Sequence, residues 1–310
     1  MRILFTGASS FTGYWFVTAL AQGGHEVVCP LRGTPDGYEA TRKRRVEALK
    51  PVCRLVACTP FGTETFLALV REGKWDLLCH HAADVTNYRS PDFDVHRALL
   101  SNTLNVRSVL NAVKERGTGA VVLTGSVFEN DEGLGEEPMR SFSPYGLSKG
   151  LTWQAWRYYC GEAGMTLGKF VIPNPFGPME DPRFTAYLMR TWKEGKPAGV
   201  KTPDYVRDNI HADLLAGVYQ QFAERVAGST ERLCKMNPSG YIESQGAFAL
   251  RVAREVKERT KWSCELRLED QKEFSEPMMR VNRETASRMV PGWNESPAWD
   301  QFVRFYTPGE

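Results

Sequence analysis

Residues 2–13 read Arg-Ile-Leu-Phe-Thr-Gly-Ala-Ser-Ser-Phe-Thr-Gly, and this stretch decides the fold. The apolar run from Ile3 to Phe5 predicts a buried strand. A turn of small residues separates it from a second apolar run, Tyr14 to Leu20, which predicts a helix. A strand, a tight turn and a helix N-terminus in this order form the arrangement that binds the pyrophosphate of a dinucleotide.

The turn is built from small residues with distinct tasks. Gly7 can adopt the unusual backbone angles of the turn, and Gly13 allows the helix to pack closely on the strand. Ser10 stands at the position of the middle glycine in the usual fingerprint. We predict that the turn binds a dinucleotide, although an ordinary glycine-rich turn has the same composition. The residues predicted to contact the cofactor here are Gly7, Ser9, Ser10, Phe11, Thr12 and Gly13.

The bulk properties of the chain exclude several classes of protein. Its 310 residues are enough for one large α/β domain, or for a domain with a smaller lobe. A formal net charge of +2 gives no reason to predict a nucleic acid or a membrane as a partner. The seven cysteines are scattered and never spaced as Cys-x-x-Cys, which predicts a cytoplasmic protein without a metal site. No apolar run approaches the roughly 18 residues of a membrane span, and the early first strand leaves no room for a signal peptide.

Strand-like and helix-like stretches alternate through the first half of the chain. The predicted strands cover 2–6, 26–31, 53–57, 76–80, 119–124 and 166–172. The predicted helices cover 13–22, 37–49, 64–72, 94–115 and 144–163. Short continuous apolar strands that alternate with helices predict an α/β fold with a doubly wound parallel sheet, of the Rossmann type.

The rhythm changes after residue 173. The loop 174–178 is rich in proline, and the helices predicted beyond it cover 184–194, 213–225, 248–259 and 299–306. We expect residues 1–173 to form the dinucleotide-binding domain, with its sheet completed by parts of 205–240. Residues 174–310 should form mainly a smaller, discontinuous substrate lobe over the carboxyl edge of the sheet, where ligands of open α/β sheets bind.

Three residues carry chemistry. Thr124 lies at the end of an apolar strand, and Tyr145 and Lys149 would share one face of a helix that begins near Pro144. A free phenol has a pKa near 10, so a tyrosine that transfers protons needs its anion stabilised, and an ammonium group one turn away does this. A hydroxyl such as that of Thr124 could hydrogen-bond the reacting oxygen. Taken alone, the tyrosine and lysine could equally be a surface pair.

Together these motifs resemble the extended short-chain dehydrogenase/reductase family, of the epimerase/dehydratase type that modifies nucleotide sugars. The resemblance covers essentially the whole chain. Further segments that resemble family motifs are His81-Ala82-Ala83, Asn102 with the residues after it, Asn174-Pro175-Phe176-Gly177-Pro178 and Arg207-Asp208-Asn209-Ile210-His211.

The resemblance implies a role for each residue. Tyr145 would be the acid/base, Lys149 would lower its pKa and bind the nicotinamide ribose, and Thr124 would orient the substrate carbonyl or hydroxyl. The further implied cofactor contacts are His81, Ala82, Ala83 and Asn102. The implied substrate contacts are Ser126, Asn174 and Arg207, the last of which would hold phosphate. A salt bridge of Arg207, for example with Asp208, and a simple turn role for Asn174 are the alternatives.

Departures from the family pattern narrow the function. Gly125 and Ser126 replace the Asp-Glu pair of the dehydratases, which argues against a 4,6-dehydratase. Arg32 follows the second strand where NAD enzymes usually have an acid, so NADP(H) is favoured and NAD(H) remains open. The alternative is that Arg32 merely ends a strand in solvent. Val171 replaces an arginine that the common 4-epimerases carry, which weakens a literal match to them.

The leading prediction is an NADPH-dependent reductase of a nucleotide-activated 4-keto sugar, with hydride to C4 and Tyr145 as the proton donor. The first alternative is a nucleotide-sugar epimerase with tightly bound NAD, and reduction of a carbonyl without a nucleotide is a weaker variant. The alternative from another class is a non-catalytic protein that senses NADP. The resemblance also predicts a homodimer through the helices at 94–115 and 144–163.

Overall fold

The computed structural model describes residues 1–135 and 140–308. Its strands in chain order are β1 (Arg2–Thr6), β2 (Glu26–Pro30), β3 (Arg54–Val56), β4 (Leu77–His80), β5 (Ala120–Ser126), β6 (Leu134–Gly135), β7 (Thr166–Ile172), β8 (Asn174–Phe176), β9 (Ala198–Val200), β10 (Val206–His211), β11 (Leu233–Met236), β12 (Pro238–Ser239), β13 (Tyr241–Ser244), β14 (Leu266–Leu268), β15 (Met279–Val281) and β16 (Glu284–Thr285). Its α-helices are α1 (Phe11–Gln22), α2 (Ala40–Leu49), α3 (Glu64–Glu72), α4 (Val95–Thr103), α5 (Val106–Glu115), α6 (Pro144–Ala163), α7 (Phe184–Lys193), α8 (Ala212–Ala227), α9 (Gln245–Arg259) and α10 (Glu295–Tyr306). No helix of the described residues is both long enough and apolar enough to cross a bilayer.

The chain folds into two compact units. The first contains β1 to β5, β7, β11, α1 to α6 and α8 from Ala216 onward. The second contains β6, β8 to β10, β12 to β16, α7, α9 and α10.

The first unit is a doubly wound α/β fold, which confirms the predicted fold class. Its seven strands are all parallel and lie in the order β3-β2-β1-β4-β5-β7-β11. The order reverses between β1 and β4, which pair in register from Ile3 with Leu77 to Thr6 with His80. Ligands of open parallel sheets bind at such a switch point, beyond the carboxyl ends of the strands. The turn after β1 is therefore in the right place for a dinucleotide.

Two groups of large apolar side chains hold this sheet to its helices. One group includes Trp75 and Trp156, which are at most 2% exposed. In the other, the rings of Phe16 on α1 and Tyr219 on α8 stack at 4.0 Å, and Phe170 of β7 packs edge-on against both. Each fully buried apolar side chain of this size contributes about 1.5–3 kcal/mol to folding. This burial keeps the strand ends, and the residues they carry, in fixed positions.

The predicted helix over 94–115 is wrong: the segment forms two helices, α4 and α5. Asn105 interrupts them in a left-handed conformation (φ 50°), which asparagine tolerates better than most residues. Its side-chain amide donates to the carbonyl oxygen of Gly62 at 2.9 Å. A Cβ at Gly62 would lie 2.1 Å from the carbonyl oxygen of Leu104, so the two loops touch directly at this break. The interruption thus depends on a residue about 40 positions earlier in the chain.

The second unit contains a five-stranded sheet that the periodicity did not predict. Four of its strands lie in the order β13-β10-β15-β6. The fifth, β8, pairs with residues 209–211 of β10, whereas β15 pairs with residues 206–207. These strands have two to six residues, too few for a clear alternation of apolar and polar positions. Around them pack Phe176, Trp192, Phe248, Trp299 and Phe302, each at most 3% exposed.

Candidate active site

The glycine turn of the first unit is a tight cradle. Gly7 has φ +85°, and a Cβ there would lie 2.7 Å from the backbone nitrogen of Ala82. A Cβ at Gly13 would lie 2.2 Å from the carbonyl oxygen of Gly7. Contacts this short exclude any side chain, so both positions require glycine. The turn therefore lies against the segment that follows β4.

The same turn starts α1. Ser10 is the N-cap residue: its Oγ accepts from the backbone N–H of Gly13 at 3.1 Å and donates to the carbonyl oxygen of Gly7 at 2.9 Å. Phe11 and Thr12 open the helix, and the N–H groups of a first helical turn point out of its end, where the helix dipole favours an anion. The turn requires glycine at two positions and lies at a helix N-terminus and at the switch point of the sheet. Such a turn fits the pyrophosphate of a nicotinamide dinucleotide.

His81 connects this turn to the end of β5. Its Nε2 lies 3.0 Å from Ser10 Oγ and 3.1 Å from Thr12 Oγ1. Its Nδ1 lies 2.9 Å from Thr124 Oγ1. Burial, together with the charge of Lys149, lowers the pKa of His81 to about 3. The ring is therefore neutral at physiological pH and links the predicted cofactor turn to the predicted catalytic hydroxyl.

Helix α6 delivers Tyr145 and Lys149. Ser143 caps it by accepting from the backbone N–H of Gly146, and Pro144 occupies its first turn. A Cβ at Gly146 would lie 2.0 Å from the carbonyl oxygen of Phe128, so the helix start packs directly on the segment after β5. The local sequence thus anchors the helix where its first turns meet the end of that strand.

Lys149 and Thr124 come together, as the resemblance implies. The Lys149 side chain is buried, and its Nζ donates to the backbone carbonyl of Thr124 at 2.6 Å. Burial lowers the pKa of this ammonium group to about 8; the carboxylate of Glu129 opposes the shift and Lys169 adds to it. Lys149 is therefore a cation of reduced basicity beside the candidate catalytic threonine.

Tyr145 lies one helical turn before Lys149 and is half-buried. Its ring packs edge-on against Tyr88, at 5.5 Å between centroids, and against Phe93, at 5.9 Å. The aromatic contacts hold the phenol, and the i, i+4 spacing puts it on the same helix face as the ammonium group. A phenol, an ammonium group and a hydroxyl held in this way can move a proton to or from an oxygen of a bound molecule.

Arg32 lies just beyond β2 and is exposed. Burial alone would raise the pKa of the nearby Asp84 carboxyl, but hydrogen bonds from Thr86 and the charges of Arg97 and Arg32 hold it below its usual value. Arg97 is the closer of the two, at 3.3 Å from an Asp84 oxygen. The exposed position leaves Arg32 accessible to a ligand phosphate, and its role in cofactor choice stays a prediction.

Two other predicted contact residues have partners within the protein. The Asn102 side chain accepts from the backbone N–H of Asp84 at 2.9 Å and donates to Thr152 Oγ1 at 3.2 Å, so it braces the loop after β4 against α6. Ser126 Oγ accepts from the backbone N–H of Phe128. The cofactor role of Asn102 and the substrate role of Ser126 stay predictions.

A buried ionic cluster that was not predicted from the sequence lies next to this site. Lys169 of β7 lies 2.6 Å from Glu129 and 2.6 Å from Glu132, and all three side chains are at most 4% exposed. A Cβ at Gly125 would lie 2.8 Å from Lys169 Cε, which explains the glycine at that position. The available signal was Lys169 itself, because a charged residue inside an otherwise uncharged, buried strand implies a buried partner.

Asn174 and Arg207 belong to the second unit. Asn174 of β8 lies opposite Asn209 of β10, and within the described residues neither buried amide nitrogen has a hydrogen-bond partner. The Arg207 guanidinium donates to Glu276 at 2.8 Å and to the backbone carbonyls of Val206 and Pro277. Donors of these kinds suit phosphate or sugar oxygens, and both substrate roles stay predictions.

Comparison with known proteins shows the family to which the chain belongs. A model described as the NAD dependent epimerase/dehydratase family matches residues 3–232. This match confirms the resemblance, and with it the prediction of an enzyme that uses a nicotinamide cofactor. No curated protein matches the chain.

Solved structures are similar over nearly the whole chain. UDP-glucuronic acid 4-epimerase from Bacillus cereus, in complex with UDP-glucuronic acid and NAD, is 16% identical with a TM-score of 0.74, over 99% of both chains. UDP-glucose 4-epimerase from Thermotoga maritima, with UDP-glucose, is 16% identical with a TM-score of 0.75, over 99% of both chains. dTDP-glucose 4,6-dehydratase from Streptomyces venezuelae, with NAD, is 19% identical with a TM-score of 0.72, over 100% of this chain and 98% of that one. At these identities the likeness shows the fold.

Proposed function

Because the chain belongs to the NAD dependent epimerase/dehydratase family, we propose that it interconverts the hydroxyl and keto forms at C4 of a nucleotide sugar. The observation that carries this proposal is the placement of Lys149 against Thr124 at the end of β5, with Tyr145 one turn away on α6. His81 joins the same threonine to the glycine turn. The threonine, lysine and tyrosine lie on β5 and α6, and β5 neighbours β4, whose following segment packs on the glycine turn.

Each group of the chain has a defined task in this reaction. The glycine turn and the start of α1 would hold the cofactor pyrophosphate, and Lys149 would bind the nicotinamide ribose. When bound, the nicotinamide supplies or accepts the hydride. Tyr145 gives the proton to the sugar oxygen in reduction and takes it in oxidation. The Lys149 charge stabilises the phenolate that reduction leaves behind, and its own pKa of about 8 allows it to stay protonated at neutral pH.

The nucleotide part of the substrate is proposed from two observations. The three similar proteins named above are two epimerases that act on UDP sugars and one dehydratase that acts on a dTDP sugar. In this chain, Arg207 and Asn174 are buried donors of the kind that recognise diphosphate oxygens. A phosphate oxygen would compete with Glu276 for the Arg207 guanidinium.

Net reduction with NADPH is the first specific form of this proposal. It is favoured by Arg32, whose exposed guanidinium follows β2 where an NAD enzyme usually carries an acid. Guanidinium pairs well with the 2′-phosphate that distinguishes NADP from NAD.

Epimerisation with retained NAD is the second form. It is favoured by the similarity to two 4-epimerases that cover 99% of this chain. It needs the same tyrosine, lysine and threonine, so the residues of the site do not separate it from net reduction.

One experiment separates the two forms and tests the proposal. The purified protein is denatured and any released nucleotides are identified by mass spectrometry. It is also incubated with UDP- and dTDP-4-ketosugars plus NADPH, and with the 4-hydroxy sugars alone. If the protein is a reductase, it should oxidise NADPH in the presence of a ketosugar. If it is an epimerase, it should carry bound NAD and invert C4 without net turnover of the cofactor.

Tyr145→Phe should lower either activity by about 10²–10⁴-fold, the usual contribution of an acid/base group. If neither conversion occurs with any of these sugars, the proposed function is wrong.

A further inference from the structure

One imidazole ring decides the direction of the hydrogen bonds at the candidate catalytic threonine. Ser10 Oγ has a single proton, which it donates to the carbonyl oxygen of Gly7 at 2.9 Å. It also lies 3.0 Å from Nε2 of His81, and since its proton is already used, it can only accept there. The network therefore assigns the ring proton of His81 to Nε2, which then also donates to Thr12 Oγ1 at 3.1 Å. This tautomer is assigned from the hydrogen-bond network.

The other ring nitrogen follows from this assignment. The ring is neutral, because burial lowers the pKa of His81 to about 3. A neutral imidazole that is protonated on Nε2 has an unprotonated Nδ1, which accepts. Thr124 Oγ1, at 2.9 Å from Nδ1, must then donate its only proton to the ring. Burial raises the pKa of the nearby Tyr219 phenol, so it keeps its proton and can donate that proton to Thr124, which leaves the His81 ring as the acceptor of the Thr124 proton.

We propose that His81 is a positioning residue that holds Thr124 as a hydrogen-bond acceptor toward the reacting oxygen of the substrate. The Thr124 hydroxyl turns its proton toward the ring and presents only lone pairs elsewhere. A sugar hydroxyl brings a proton and can donate to those lone pairs; a ketone oxygen has none to donate. The site so arranged binds the hydroxyl form of the substrate more tightly than the keto form. This inference rests on the proposed function for the identity of the ligand, while the tautomer of His81 does not.

The arrangement also explains two polar residues of the turn. Ser10 and Thr12 both contact the same ring nitrogen, so they hold the ring in one orientation from the cofactor side. The backbone N–H groups of His81 and Ala82 both donate to Thr6 Oγ1 at 3.2 Å, which fixes the main chain that carries the ring. The rings of Phe5 and Phe16 also pack against it, at 5.7 and 5.2 Å between centroids. Hydrogen bonds at both ring nitrogens and these aromatic contacts therefore hold the ring in one orientation.

The first test reads the tautomer directly and needs no substrate. In ¹⁵N-labelled protein at neutral pH, long-range ¹H–¹⁵N spectra distinguish protonated from unprotonated ring nitrogens. We expect a protonated Nε2 and an unprotonated Nδ1 for His81, whose signals are assigned by their loss in His81→Leu. In Thr124→Val, which removes the hydroxyl that donates to the ring and keeps the shape of the side chain, the Nδ1 signal should move and the Nε2 signal should stay. A proton on Nδ1 overturns the proposal. If His81→Leu does not fold, the selective response to Thr124→Val makes the assignment.

The second test measures the preference for a donor. The probes are a UDP-hexose and its 4-deoxy-4-fluoro analogue, in which fluorine cannot donate, with binding followed by calorimetry. We expect the hydroxyl form to bind at least tenfold more tightly, the ratio that an unsatisfied buried acceptor of about 1.4 kcal/mol produces. In His81→Leu the Thr124 proton is released and the ratio should fall toward one. Thr124→Ser keeps the hydroxyl and should keep the ratio, whereas a merely structural role would weaken both ligands equally.

The two tests fail separately. An unprotonated Nδ1 with no binding of any UDP-hexose supports the His81 assignment and counts against the proposed function. Equal binding of both probes by the wild-type protein, with the expected tautomer, overturns the claim that Thr124 selects the hydroxyl form.

Discussion

At the scale of single residues, two adjacent histidines show how position sets chemistry. His80 ends β4 and stacks on Trp156 at 4.6 Å in the core, whereas His81 leaves the strand in the opposite direction and meets three hydroxyls. Successive side chains of an extended chain point to opposite sides. Burial lowers the pKa of both histidines to about 3, so neither gains charge at physiological pH. His81 contacts the hydroxyls of the candidate site directly, whereas His80 reaches Thr6 Oγ1, at 3.0 Å, which holds the main chain of His81.

The buried residue Glu180 should make the free energy of unfolding depend on pH. Its buried carboxyl lies within 2.7 Å of Thr185 Oγ1 through both oxygens and 2.7 Å from the Tyr306 hydroxyl. Burial raises its pKa to about 7, against the hydrogen bonds from Thr185 and Tyr306 and the charge of Arg183, which lower it. A protonated carboxyl satisfies both contacts with Thr185, since one oxygen then donates and the other accepts.

The sign of this effect follows from the raised pKa. Between pH 4.5, the usual value, and about 7 the folded chain holds a proton that the unfolded chain has lost. Stability should therefore fall as the pH rises through this window, by roughly 3 kcal/mol in total. Glu180→Gln mimics the protonated acid, so it should remove this slope from the urea unfolding free energy measured at pH 5 and pH 7.5. A wild-type slope that survives unchanged in the variant would show that Glu180 is ionised throughout.

At the scale of elements, the start of α1 depends on a glycine that no other residue can replace. Gly13→Ala places a Cβ 2.2 Å from the carbonyl oxygen of Gly7, so α1 must move away from β1. We expect the affinity for NAD(H) and NADP(H), measured by fluorescence titration, to fall by at least tenfold. Gly161→Ala is the matched control, because it also lies in a helix but has nothing within 4 Å of the new Cβ. Normal cofactor affinity in Gly13→Ala would mean that the cradle is not where the pyrophosphate binds.

The ionic cluster connects β7 to the segment after β5. Lys169→Met removes the cation that lies 2.6 Å from both buried carboxylates, Glu129 and Glu132, while the charges of Lys235, at 2.7 Å from Glu132, and of Lys149, near Glu129, remain. Breaking a buried ion pair from one side costs about 3–5 kcal/mol, and we expect this loss in urea unfolding.

An exposed ion pair provides the control for that variant. Lys196 lies 2.8 Å from Glu194 with both side chains more than half exposed, and its removal in Lys196→Met should change stability by less than about 1 kcal/mol. If both variants lost the same free energy of unfolding, burial would not make the Lys169 ion pairs more important for stability than an exposed pair.

At the scale of the whole molecule, much of the first unit was predictable. The apolar strands, the glycine turn and the helix with Tyr145 and Lys149 each have a local signature, and neighbouring residues carry it. The contact between Lys149 of α6 and Thr124 of β5 agrees with the joint role that the family resemblance implies for them. The short strands of the second unit have no such signature, so the pairing of Asn174 with Asn209 across β8 and β10 could not be predicted.

The sequence by itself determined the class of sheet and the glycine turn after its first strand, because hydrophobic period and turn chemistry act over a few neighbouring positions. That this turn holds the cofactor, and that Thr124, Tyr145 and Lys149 carry the reaction, stays a prediction. Only the tertiary structure decided how Ser10 is used, since its partner His81 lies 71 residues away. The same holds for the cluster around Lys169, whose acids lie 37 and 40 residues earlier. Burial and hydrogen-bond direction depend on which distant side chains meet, and that is settled by packing.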